Sequence, residues 1–240
     1  MKKLILAFLL AAVPAITIAA GGGVHLDDAN IDVSDNASLQ RGAKYFVNYC
    51  TGCHSLKFQR YNRLVQDLGL TADEVKGNLM FTTDNIGDTM TIAMDPKDAE
   101  KWFGVTPPDL SVTARARGVD WIYTYLRSFY ADEKRPFGVN NTVFPDVGMP
   151  NVLWQLQGTQ KAVVTEVDGH QVTKLEMVKP GTLSAEEFDG VARDLTAFLS
   201  YVGEPAQLKR KSMGKWVLLF IGIFFIFAYL LKKEYWKDIH

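Results

Sequence analysis

Cys50-Thr51-Gly52-Cys53-His54 is the stretch of this 240-residue chain with the most chemistry to offer. No other cysteine occurs, so the two thiols act together. Two thiols a short turn apart reach the two vinyl groups of one porphyrin, and the histidine that follows falls beneath the iron as an imidazole ligand. CxxCH is accordingly the pattern of covalent c-type haem attachment, with Cys50, Cys53 and His54 as its expected holders. Two other uses of the pair compete. A thiol–disulfide exchanger carries CxxC between a strand and a helix, whereas this motif follows a helical pattern. A structural zinc site needs a second pair of ligands, and the sequence offers none.

A second axial ligand has to come from His25, His170, Met80, Met90, Met94, Met149, Met177 or Met213. His25 falls in a loose N-terminal stretch, His170 beside a hairpin tip, and His240 beyond an apolar segment. Met149 stands out because Gly148 lets the backbone approach a flat ring and Pro150 fixes the chain beyond it. A thioether opposite an imidazole raises the reduction potential relative to two imidazoles. Methionine is also ordinary core filler, and Met94 beside another turn is a rival, so spacing alone leaves both open.

Several elements must position these side chains. Asn36 or Ser38 is placed to cap a helix running to about Tyr49, with Leu39, Ala43, Phe46 and Val47 as its apolar face. The cysteine motif then sits at that helix's end. A short helix is expected over 60–68, and another is capped by Asp120 with Ile122, Leu126 and Phe129 as a core stripe. Ser184-Ala185-Glu186-Glu187 is a capping box. It opens a helix that turns Phe188, Val191, Leu195, Phe198 and Val202 inward and stops at Gly203 and Pro205. Residues 162–178 alternate apolar and polar about Asp168-Gly169, the pattern of a β-hairpin. Residues 136–150 carry three prolines and two glycines and read as irregular loop.

The two ends place the chain at a membrane. Lys2 and Lys3 before an apolar run, Pro14, and small residues near Ala20 form a secretory signal over 1–20. Residues 213–231 are apolar apart from Lys215, and nineteen residues at ~1.5 Å rise make ~28 Å, enough to cross hydrocarbon. Twelve Val, Leu, Ile or Phe side chains there favour insertion by roughly 4–7 kcal/mol. Export of the large domain leaves 232–240 as a cytoplasmic tail. Between Gly21 and Pro205 there are 25 acidic against 17 basic residues. Such an acidic domain is a poor match for nucleic acid and would attract a basic protein partner, or simply stay soluble.

Asn48-Tyr49 through Ser55-Leu56 around the cysteine motif, Arg60-Tyr61, Pro107-Pro108-Asp109-Leu110-Ser111, Arg115-Ala116-Arg117 and Gly148-Met149-Pro150 together resemble the cytochrome c1 family. So does the last long helix, leading through Glu204-Pro205 into a membrane anchor. The resemblance runs in order through the exported domain and the anchor. It implies a mainly α fold, a cytochrome c-like haem domain with a small β-hairpin over 21–208, plus one C-terminal transmembrane helix. It implies one covalent haem c, with Met149 as distal ligand beside Cys50, Cys53 and His54, and Arg115 against a haem propionate. The implied setting is the quinol–cytochrome c oxidoreductase (cytochrome bc1) complex of the respiratory chain. There the haem accepts electrons from the Rieske iron–sulfur protein and passes them to a soluble cytochrome c. Cytochrome b would flank the anchor, and the haem domain would face the periplasm from the inner membrane. No substrate chemistry of its own is expected. The competing readings are another membrane-anchored c-type cytochrome, either an oxidase subunit or a tethered carrier, and a haem peroxidase.

Overall fold

The chain's packing starts from a helix whose apolar residues recur every three to four positions. In the computed structural model, which describes residues 24–167 and 170–237, this is α1 (Asn36–Tyr49). Its cap is Asp35, whose carboxylate accepts from the backbone N–H of Ala37 and Ser38, rather than Asn36 or Ser38. Asp is as good an N-cap as Asn or Ser, and its position one residue earlier decides between them. A short strand β1 (Leu56–Arg60) follows the cysteine motif and leads into α2 (Tyr61–Leu68) and α3 (Ala72–Asn78). β2 (Thr89–Met90) pairs antiparallel with β1. Then come α4 (Pro96–Phe103), α5 (Thr113–Arg117) and α6 (Val119–Arg127).

Asp120 lies inside the first turn of α6 instead of capping it, and its carboxylate accepts from the Ala29 N–H at 2.9 Å. The supposed irregular stretch before Met149 contains β4 (Val139–Asn141), which pairs with β3 (Phe129–Ala131). After a single turn, α7 (Trp154–Gln157), the expected hairpin forms from β5 (Gly158–Val167) and β6 (His170–Pro180). Its turn residues Asp168 and Gly169, the leader 1–20 and His240 lie outside the described residues. The described residues are thus mainly helical with three small antiparallel pairs, where the sequence pattern showed one.

α8 (Ala185–Gly203) begins at the Ser184–Glu187 capping box and buries all five residues expected to face inward. It crosses α1 at close range. Asp194 of α8 accepts from Ser38 Oγ at 2.6 Å and from Arg41 through two nitrogens at 2.6 and 2.9 Å. Phe46 and Phe198 meet at 5.8 Å between ring centres. Gly42 makes the approach possible: a Cβ there would lie 2.1 Å from the Asp194 carbonyl oxygen and 2.7 Å from Phe198 Cβ. Backbone cannot yield as a flexible side chain can. Gly42→Ala is therefore expected to cost about 3 kcal/mol, the upper end of ordinary overpacking, despite alanine's better helix propensity. A denaturant midpoint equal to wild type would refute this.

The chain leaves α8 through Glu204 and Pro205 into α9 (Gln207–Tyr235), which carries no buried residue and is long and apolar enough to cross a membrane. Glu204 sits at the joint, paired with Arg210 of the anchor and, at 3.6 Å, with Arg115 of α5.

Candidate haem site

At the end of α1 the backbone winds one more turn. Cys50 N–H donates to Phe46 O, and the N–H groups of Cys53 and His54 both donate to Cys50 O, at 3.0 and 2.8 Å. Positions 50, 53 and 54 consequently share one side of a helical turn. The two thiols are free, not joined in a disulfide. Burial, with a smaller contribution from Cys53, pushes the Cys50 thiol up to about 12. Burial raises Cys53 as well.

His54 is buried, and its Nδ1 lies 2.8 Å from the Pro108 carbonyl oxygen. A carbonyl only accepts, so Nδ1 carries the proton and Nε2 keeps its lone pair for a metal. Burial lowers the imidazole's proton affinity, against the opposing pull of that carbonyl and of Asp109, and the neutral ligating form is favoured. The proline–aspartate segment is stitched to the motif at every step. Leu110 N–H donates to Ser55 O, Lys57 N–H to Asp109 Oδ2, and Phe58 N–H to Ser111 Oγ. Asp109 also accepts from Ser111 N–H, so its carboxylate braces this turn. What the segment Pro107–Ser111 does here is hold the imidazole's orientation.

Met149 is held from a different direction. The Tyr125 hydroxyl of α6 donates to its sulfur at 3.3 Å. Tyr125 stacks on Trp121 at 4.9 Å and 10°, and meets the edge of Phe129 at 5.2 Å. Phe144 stands edge-on to Trp121. A Cβ added at Gly148 would come 3.0 Å from Val105 Cγ1, a tight contact to which the half-exposed valine side chain would have to give way. The loop that delivers Met149 is pinned by side-chain amides. Asn141, fully buried, donates to Tyr125 O and accepts from the N–H groups of Val143 and Phe144. Asn140 accepts from Asp146 N–H.

Burial sets most of the rival methionines apart from Met149, though not Met94, which like Met149 is partly buried. Met80 and Met90 are buried among core side chains, and Met177 and Met213 are about half exposed or more. Met94 is partly buried and His25 exposed. The two arginines of α5 separate too. Arg115, 61% exposed, turns to Glu204. Arg117 lies over the rings of Trp121 and Phe144, at 5.2 and 5.9 Å, on the aromatic wall that reaches Met149 through Tyr125. Tyr125 lies outside the stripe of Ile122, Leu126 and Phe129 that the sequence marked on this helix, and nothing in the sequence singled out its hydroxyl.

A family profile described as the Cytochrome C1 family matches residues 28–239. The chain belongs to the cytochrome c1 family. Cytochrome c1 of Allochromatium vinosum is 57% identical, with the whole of both chains aligned. A Nitrosomonas europaea protein named ammonia monooxygenase gamma subunit is 49% identical over all of this chain and 98% of its own. Cytochrome c1 of Rhodospirillum rubrum is 28% identical, over 85% of this chain and 83% of that one. Membership makes this a haem c protein of electron transport, anchored by one C-terminal apolar helix. The residues present suit that group on their own chemistry: two unpaired thiols and an imidazole on one turn, its Nε2 free, and a thioether fixed on a second element.

Proposed function

We propose that Cys50 and Cys53 bind haem c covalently, that His54 and Met149 supply its two axial ligands, and that the protein relays single electrons within the cytochrome bc1 complex. In this reading residues 1–20 direct export and 21–208 form a periplasmic haem domain. Residues 213–231 cross the inner membrane beside cytochrome b, and 232–240 end in the cytoplasm. Electrons arrive from the Rieske iron–sulfur protein and leave to a soluble cytochrome c, for which the acidic domain offers electrostatic steering. When bound, the haem iron alternates between ferrous and ferric and so carries one electron at a time.

The observation that supports this most is that both candidate axial side chains are already oriented, His54 by the Pro108 carbonyl and Met149 by the Tyr125 hydroxyl. With two strong protein ligands no position is left for peroxide, which favours a carrier over a peroxidase. The cation for a propionate comes from α5. The resemblance assigns Arg115, which also pairs with Glu204 at 3.6 Å, and Arg117, lying over Trp121, is a second candidate on the same helix. A guanidinium is suited to this because it forks onto a carboxylate with two N–H donors.

Mild detergent extraction tests the assembly. Cytochrome b and a Rieske protein should co-purify, quinol should reduce the haem, and a basic soluble cytochrome c should reoxidise it at a rate that falls as salt rises. Purification alone, or with an oxidase, would overturn the proposed complex in favour of a tethered carrier or an oxidase subunit. The name of the Nitrosomonas europaea relative favours a second reading, membership of a monooxygenase assembly, and co-purification with one would establish that instead.

A further inference from the structure

Tyr125 spends its only hydroxyl proton on sulfur, a weak acceptor, although stronger oxygen acceptors abound in a folded chain. The ring has no freedom to choose another. It is clamped by the stacked Trp121 and the edge of Phe129, and its own backbone carbonyl accepts from the buried Asn141 amide at 2.8 Å. A thioether sulfur has two lone pairs, so a hydroxyl occupying one leaves the other for a metal.

We propose that Tyr125 is a positioning residue that tunes the haem: its O–H, aimed at the Met149 sulfur, orients the thioether and raises the reduction potential. This rests on the assignment of Met149 as axial ligand. The physical reason has two parts, both acting in the same direction. A donor at sulfur withdraws the electron density that would stabilise the more positive oxidised state. The O–H dipole also points its positive end at the sulfur that would hold the iron, and a wall of aromatic rings screens it far less than water would. Orientation adds a third consequence. A methionine has three rotatable bonds, and a directional contact to sulfur restricts them where packing alone would not.

Tyr125→Phe keeps the ring and its packing and removes only the oxygen, so the purified, haem-loaded full-length protein can be titrated directly. At a fixed ambient potential the ferric-to-ferrous ratio should rise three- to tenfold, where tenfold is about 59 mV for a one-electron couple. The thermal midpoint should stay near wild type. Tyr123→Phe, which removes a hydroxyl from the same helix without touching sulfur, should leave the potential in place. An unchanged potential in Tyr125→Phe, with Met149→Leu shown to lose its axial ligand, would overturn the tuning role alone. An equal shift in Tyr123→Phe would also overturn it, by showing that the contact to sulfur is not what sets the potential. A normal low-spin spectrum with unchanged potential in Met149→Leu would instead remove the ligand assignment beneath it.

Discussion

Met149→Leu should lower the reduction potential by roughly 0.1–0.3 V, a fraction of the ~0.8 V over which axial ligands set haem potentials. Sulfur stabilises the ferrous state, and leucine has no atom to replace it. The variant should also bind carbon monoxide rapidly at neutral pH, because one coordination position becomes free. Folding should survive. The side chain is only partly buried, and leucine for methionine is close to volume-conserving, costing less than about 1.5 kcal/mol. The Tyr125 hydroxyl loses its acceptor in this variant, adding up to about 1–3 kcal/mol if water does not replace it. Thermal unfolding followed beside the redox titration separates the two losses. Oxidised and reduced spectra identical to wild type would reject the ligand.

How much of this was legible beforehand depends on the kind of signal. The three residues of the haem attachment motif were fixed by covalent chemistry, which leaves a rigid spacing in the sequence. The long helices α1 and α8 were legible because each buries a stripe against the other, and burial imposes a helical period on residue type. The strand pairs β1–β2 and β3–β4 were not. Each is held by two or three residues, too few for alternation to register. α3 and α4 escaped for the same reason: one buried side chain apiece, Val75 and Ala99, makes no stripe. Caps misled by a residue or so where several polar side chains stood in a row, as at Asp35, Asn36 and Ser38.

The site shows the same division. Met149 could be singled out because a glycine and a proline flank it, and in the structure Gly148 lies close against Val105. What orients His54 is a backbone carbonyl, Pro108 O, and what orients Met149 is a phenol. Neither has a residue-type signature. A carbonyl belongs to every residue, and a tyrosine on an apolar helix face reads as core. Arg115 and Arg117 differ only in which way they point, a choice that α5 makes when Gly203 packs against the Arg115 stem. Residue type predicts what can be done; packing decides what each copy touches.

Removing both thiols should have the largest effect of all. The double substitution Cys50→Ala, Cys53→Ala should yield a denatured chain without added porphyrin mass and abolish electron flow through the complex, whereas the wild-type chain retains the porphyrin after denaturation. Each single variant should keep one thioether bond and an intermediate yield, since His54 remains to hold the iron. Alkylation gives an independent reading, provided the chain is unfolded first. With its thiol pushed up to about 12 by burial, Cys50 in a folded, haem-free chain stays protonated at pH 8, and the thiolate is the reactive form. A native sample unreactive at Cys50 would therefore say nothing about haem at that position. After denaturation that protection is gone, and any thiol not bonded to porphyrin reacts within the normal range for cysteine. Wild-type protein from the membrane should take up no iodoacetamide at either position under those conditions. Uptake at both, in a chain of unmodified mass, would show that no porphyrin is attached, and the axial assignments of His54 and Met149 would then have no haem to serve.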